Sequence, residues 1–109
     1  YVCQSSEGQI HETESISAGL DYPGVSPIHC FLKDIKRARY TYATDEAALN
    51  AYQMVTKFEK LNPSLEPSHA FAESIRIAPK LSKDTVIIVN SCGDAKKDRD
   101  ILKERLGKY

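Results

Sequence analysis

Ser91 and Cys92 are candidates for chemistry, because they follow the apolar run Thr85-Val86-Ile87-Ile88-Val89. In an open α/β sheet, ligands gather beyond the carboxyl ends of the strands. A hydroxyl or thiol there can donate a hydrogen bond to a ligand, whereas a nucleophilic Cys92 needs a basic neighbour that the sequence does not supply. The plain alternative is a strand-to-helix turn in which Asn90 and Gly93 serve geometry alone. Glu66 stands at a helix start, where a carboxylate complements exposed N–H groups, so capping is its default role. His11, His29 and His69 have no ligand spacing with one another or with Cys3, Cys30 and Cys92, and a metal site built from them is not expected. Asp21 and Tyr22 lie in the loop Gly19-Leu20-Asp21-Tyr22-Pro23-Gly24. An aspartate there can form a switchable ion pair with a mobile lid, or simply hold a turn.

The elements that must position these residues follow from local patterning. Tyr1 to Gln4 reads as extended, Ser5-Ser6-Glu7-Gly8 as a turn, and Gln9 to Thr13 as a returning strand. Ser15 to Ser26 holds two glycines and a proline, and reads as an irregular loop long enough for function. Ser26-Pro27 opens a helix with Ile28, Phe31, Leu32 and Ile35 on one face. Tyr40-Thr41-Tyr42-Ala43 reads as a short strand. Thr44 caps a second helix with the stripe Ala48, Tyr52, Val55 and Phe58, broken at Asn62-Pro63. A third helix starts at Leu65-Glu66-Pro67-Ser68 with Phe71, Ile75 and Ala78 inward. Residues 85–89 read as a strand buried on both faces, and a last helix turns Ile101, Leu102 and Leu106 inward. The run Lys96-Lys97-Asp98-Arg99-Asp100 reads as a solvated helix start.

The order of strands and helices is that of an open parallel α/β sheet. Two parallel strands are too few for such a sheet to stand alone, so the expectation is the tail of a larger enzyme. Its 109 residues have the length of one small domain, without an internal boundary. Fifteen basic and fifteen acidic residues cancel, which argues against a nucleic-acid groove or an anionic-lipid surface. No apolar run approaches the length of a membrane helix. Three cysteines without pairing, and an opening that does not read as a secretory signal, point to a reduced, cytoplasmic chain.

At the long loop the sequence becomes recognisable. Ser15-Ile16-Ser17-Ala18-Gly19-Leu20-Asp21-Tyr22-Pro23-Gly24-Val25 closely resembles a signature of tryptophan synthase β chains. Tyr1-Val2-Cys3-Gln4 with Gly8-Gln9-Ile10 is similar to the hairpin just before it. Tyr40 to Ala48 resembles the family's strand followed by Thr-Asp-Glu-Glu-Ala, and Pro63 to Ala70 its Pro-Ala-Leu-Glu-Ser-Ser-His-Ala. Val89-Asn90, Gly93 and Lys97-Asp98 are similar to the end of its last strand and the loop beyond.

This resemblance implies the C-terminal portion of a pyridoxal-phosphate type II fold, a parallel sheet flanked by helices, incomplete as a domain. The implied enzyme condenses L-serine with indole to give L-tryptophan, and pairs with an α chain and a second β chain. The resemblance carries roles with it. The backbone at Gly19 lies against the cofactor, Asp21 takes part in lid closure, and the carbonyls of Tyr22 and Gly24 help bind a monovalent cation. Glu66 lies beside the cofactor ring on its phenolic oxygen side. The final loop offers a neutral partner to the pyridine nitrogen, which favours β-elimination and replacement. Aligned on Asn90 and Gly93 that partner is Cys92 in place of serine; a shift of one makes it Ser91. Gly93-Asp94-Ala95-Lys96-Lys97 also departs from the family's Gly-Arg-Gly-Asp-Lys, marking a divergent member.

The family's Schiff-base lysine and Gly-rich phosphate cup have no counterpart in these 109 residues, so this segment by itself is expected to be inactive. Two other readings stand beside this one. One is a divergent type II enzyme acting on another amino acid; the other is a non-enzymatic α/β binding module.

Overall fold

The computed structural model describes residues 1–107. They form two compact units, residues 1–41 and the part from Tyr42 onward.

In the first unit the hairpin expected at the N-terminus takes shape as two isolated antiparallel bridges, Gln4 with Ile10 and Val2 with Gly24. The Ser5 N–H donates to the Gln9 carbonyl at 2.8 Å, and the His11 N–H to the Cys3 carbonyl at 3.0 Å. Gly8 closes the turn at φ 82°, a left-handed conformation that suits glycine. The irregular loop follows, with Ile16 and Ser17 buried and a single 3-10 turn at Ala18–Leu20.

Helix α1 spans Pro27–Asp34 and starts where the Ser-Pro pair dictates. Ser26 Oγ accepts a hydrogen bond from the Ile28 N–H at 3.3 Å, and Pro27 occupies a position whose N–H would be unpaired anyway. Its apolar face is real but open to solvent, with Ile28 68%, Phe31 60% and Ile35 53% exposed.

The second unit is built on a helical pair. Helix α2, Asp45–Glu59, begins at Thr44, whose Oγ1 accepts from the Ala47 N–H at 3.2 Å. It ends at Lys60, which takes the left-handed conformation at φ 57°. Helix α3, Leu65–Ile77, packs back against it. Ala48, Ala51, Tyr52 and Val55 of α2 are buried, as are Leu65, Pro67 and Ser68 of α3. The link between them is held by Tyr52, whose hydroxyl donates to Asn62 Oδ1 at 2.6 Å. Three residues expected on the inner faces are exposed, Phe58, Ile75 and Ala78, the last lying beyond α3 in the 3-10 turn Ala78–Lys80. Phe58 is 65% and Ile75 39% exposed, burial on α3 being concentrated in its first turn. Helix α4, Arg99–Leu106, buries Leu102 and is preceded by a 3-10 turn at Ala95–Asp98.

The parallel sheet is the main correction. About half of the described residues are helical, and among them β pairing is confined to the two isolated bridges. Residues 85–89 and 40–43 carry no strand pairing. The physical reason is that a strand is made by its neighbours, whose backbone groups complete its hydrogen bonds. Val86 at 83% and Ile88 at 90% exposure keep the composition of a buried strand without the sheet that would cover it.

Candidate functional site

In the second unit the loop of residues 90–98 meets the start of α3. Leu65 is the first residue of that helix, and its N–H donates to Asp98 Oδ2 at 2.7 Å. The preceding Ser64 does not cap with its side chain, because its hydroxyl donates instead to the Cys92 carbonyl at 2.9 Å. A remote aspartate thus does the work of a local cap, meeting an otherwise unpaired N–H at the positive end of the helix dipole.

Glu66 is one residue further along. Its side chain is 16% exposed, and Lys97 Nζ donates to both of its oxygens, at 2.7 and 2.8 Å. The same ammonium donates to Asp98 Oδ1 at 2.9 Å. Asp98 itself is 4% exposed. Burial is the largest single influence on Lys97 and favours its neutral form. The hydrogen bonds to Glu66 and Asp98, with their charges, together outweigh it and hold the ammonium above its ordinary range. The result is a lysine fixed as a cation between two carboxylates.

Gly93 lies directly against this cluster at φ 85°. A side-chain carbon there would run into Ser64 Oγ and come within 3.5 Å of Glu66 Oε2. The residues flanking it on the N-terminal side, Ser91 and Cys92, are exposed, and the Cys92 thiol is free. Two of the expected site regions, Glu66 and the 91–93 loop, are therefore brought together, with neutral donors at the loop and a carboxylate beside it. His69 donates from Nδ1 to the Leu65 carbonyl at 2.7 Å, with Nε2 3.9 Å from Asp45 Oδ1.

The other expected residues belong to the first unit. Gly19 lies inside the 3-10 turn, and the Asp21 N–H donates to the Ala18 carbonyl at 3.4 Å. Asp21 and Gly24 are exposed, and the Tyr22 side chain is 69% exposed. Gly24 pairs with Val2.

Lys97 and Asp98 are the residues that sequence reasoning missed, having taken their charge run for a solvated face. A signal was available, since Lys97-Asp98 was among the positions carrying the family resemblance, but only its identity was read and not its partner.

A carboxylate, a lysine bonded to it and a glycine-tight loop thus meet at the start of α3. No family model matches the chain. Individual proteins do. The tryptophan synthase beta chain of Bordetella petrii is 50% identical over 107 residues, 98% of this chain. That of Allorhizobium ampelinum is 52% identical over 98 residues, 90% of this chain, and that of Bordetella pertussis is 49% identical over 107 residues. The chain spans 27% of the length of the Bordetella petrii protein and 24% of that from Allorhizobium ampelinum.

The chain belongs to the tryptophan synthase beta-chain family and corresponds to a C-terminal part of it.

Proposed function

We propose that this chain forms one wall of the pyridoxal-phosphate pocket of a tryptophan synthase beta chain, which joins L-serine and indole into L-tryptophan. The observation that carries this reading is the meeting of Glu66 with the 91–93 loop, in a chain about half identical to such proteins. The donor set suits the cofactor. Ser91 and Cys92 offer neutral O–H and S–H groups for a pyridine nitrogen, and Glu66 offers a carboxylate for the phenolic oxygen side. The close approach of Gly93 to Ser64 leaves no room for a side chain there without displacing the Ser64 hydroxyl. When bound, the cofactor supplies an electron sink for breaking bonds at the amino-acid substrate. These residues orient and bind it; they do not hold it covalently.

In the same reading, the Gly19 backbone lies against the cofactor and Asp21 takes part in lid closure. The Tyr22 and Gly24 carbonyls bind a monovalent cation. The whole of residues 1–109 belongs to one type II fold, in which residues 85–89 become a strand once further strands flank them. The parent protein is cytoplasmic and works with an α chain and a second β chain. Among the described residues no helix is long and apolar enough to cross a membrane.

The test uses the full-length protein. Tryptophan formed from serine plus indole supports the proposal. Deamination of serine or threonine without use of indole favours a divergent type II enzyme, and absence of cofactor binding in the full-length protein favours a binding module. The 109-residue segment alone is expected to bind no cofactor covalently and to form no tryptophan.

A further inference from the structure

We propose that Lys97 and Asp98 are positioning residues for Glu66, closing a ring of contacts that fixes where its carboxylate points and how much of its charge remains for a ligand. The inference rests on the reading of Glu66 as a cofactor-side residue. The ring runs from the α3 backbone at Leu65 N–H to Asp98 Oδ2, from Asp98 Oδ1 to Lys97 Nζ, and from Nζ to both oxygens of Glu66. Glu66 then returns to the α3 backbone one residue after Leu65.

An ammonium has three protons and no acceptor. Here it faces two carboxylates, both oxygens of Glu66 at 2.7 and 2.8 Å and one of Asp98 at 2.9 Å. Lys97 therefore bridges the two carboxylates, and both oxygens of Glu66 lie within hydrogen-bond distance of its ammonium. The Asp98 side chain is 5% exposed, which suits an anchor whose charge is balanced on one side by Lys97 and on the other by a helix start. Residues 97 and 98 also end the 3-10 turn Ala95–Asp98 that comes soon after Ser91, Cys92 and Gly93. One clamp thus ties the proposed pyridine-side loop to the proposed phenolic-side carboxylate.

The readout is the visible absorption of the cofactor bound to the full-length protein, followed against pH. Removing a positive charge behind Glu66 leaves more negative potential at the cofactor, so Lys97→Gln is expected to raise the spectral midpoint by about one pH unit. Lys97→Arg, which keeps the charge, is expected to restore the parent midpoint. Glu66→Gln is expected to lower it, and Lys97→Gln is expected to shift it clearly less in the Glu66→Gln background than in the parent, because much of the effect of the lysine passes through where the glutamate is held.

The outcomes separate. A Glu66→Gln protein with the parent midpoint overturns the cofactor-side reading of Glu66 and this proposal with it. A shifted Glu66→Gln beside an unshifted Lys97→Gln overturns the positioning role alone. If Lys97→Gln does not fold, the unmodified protein still decides the matter by its rate of lysine acylation. Lys97 is expected to react about ten times more slowly than the exposed Lys103, because a proton held by two carboxylates must be lost first. Equal rates overturn the clamp.

Discussion

The Asp98 carboxylate accepts a hydrogen bond from the Leu65 backbone N–H at 2.7 Å, across 33 residues of sequence. This single bond joins the 3-10 turn before α4 to the start of α3. Removing the acceptor leaves a buried N–H without its partner. Asp98→Ala is therefore expected to destabilise the full-length protein by about 1–3 kcal/mol in urea unfolding. Asp98→Asn, which keeps an acceptor oxygen, is expected to lose less. Equal losses would mean that the charge, and not the hydrogen bond, holds the helix start.

Gly93 and Gly8 offer a controlled comparison of backbone strain with close approach. Both have positive φ, 85° and 82°. A side-chain carbon at Gly8 meets nothing within 4 Å, whereas at Gly93 it meets Ser64 and Glu66. Gly8→Ala is expected to cost about 1 kcal/mol for its left-handed backbone alone. Gly93→Ala is expected to cost clearly more, and also to weaken cofactor binding in the full-length protein. Matching unfolding midpoints for the two variants would remove the argument that Gly93 is required by contact.

Local signals were legible in the sequence where the physics is local. Ser26-Pro27 and Thr44 mark helix starts because a cap needs only residues two or three positions away, and both caps formed. The stripe of Ala48, Tyr52 and Val55 was legible for the same reason. The strand at residues 85–89 was not, because β-branched composition gives a preference whose fulfilment depends on remote neighbours. Lys97 and Asp98 were opaque in another way. A run of mixed charges looks the same whether it faces water or a helix start 33 residues earlier, and only the fold tells the two apart.

Residues 86 and 88 carry their own prediction. With Val86 83% and Ile88 90% exposed, the 109-residue chain presents apolar side chains and unpaired backbone that invite self-association. Sedimentation of this chain is expected to show concentration-dependent oligomers, reduced by Val86→Lys with Ile88→Lys. In the full-length protein the amides of these residues are expected to exchange slowly with deuterium, as in a paired strand. Fast exchange there would contradict the proposed sheet.

The Lys97 cluster also fixes a direction for alkaline stability. The folded ammonium has its pKa raised above the ordinary value near 10.5, the pull of burial being outweighed by Glu66 and Asp98. A group raised on folding adds stability that is fully present below its unfolded pKa and is lost as pH climbs through the folded one. Between neutral pH and pH 9 the contribution should therefore be constant, and it should fade only above about pH 10.5. Lys97→Met is expected to lose this contribution at neutral pH and to approach the parent's stability as pH rises, because both proteins then lack the cation. Two unfolding curves that stay equally far apart from pH 8 to pH 11 would show that the lysine stabilises by packing its stem and not by its charge.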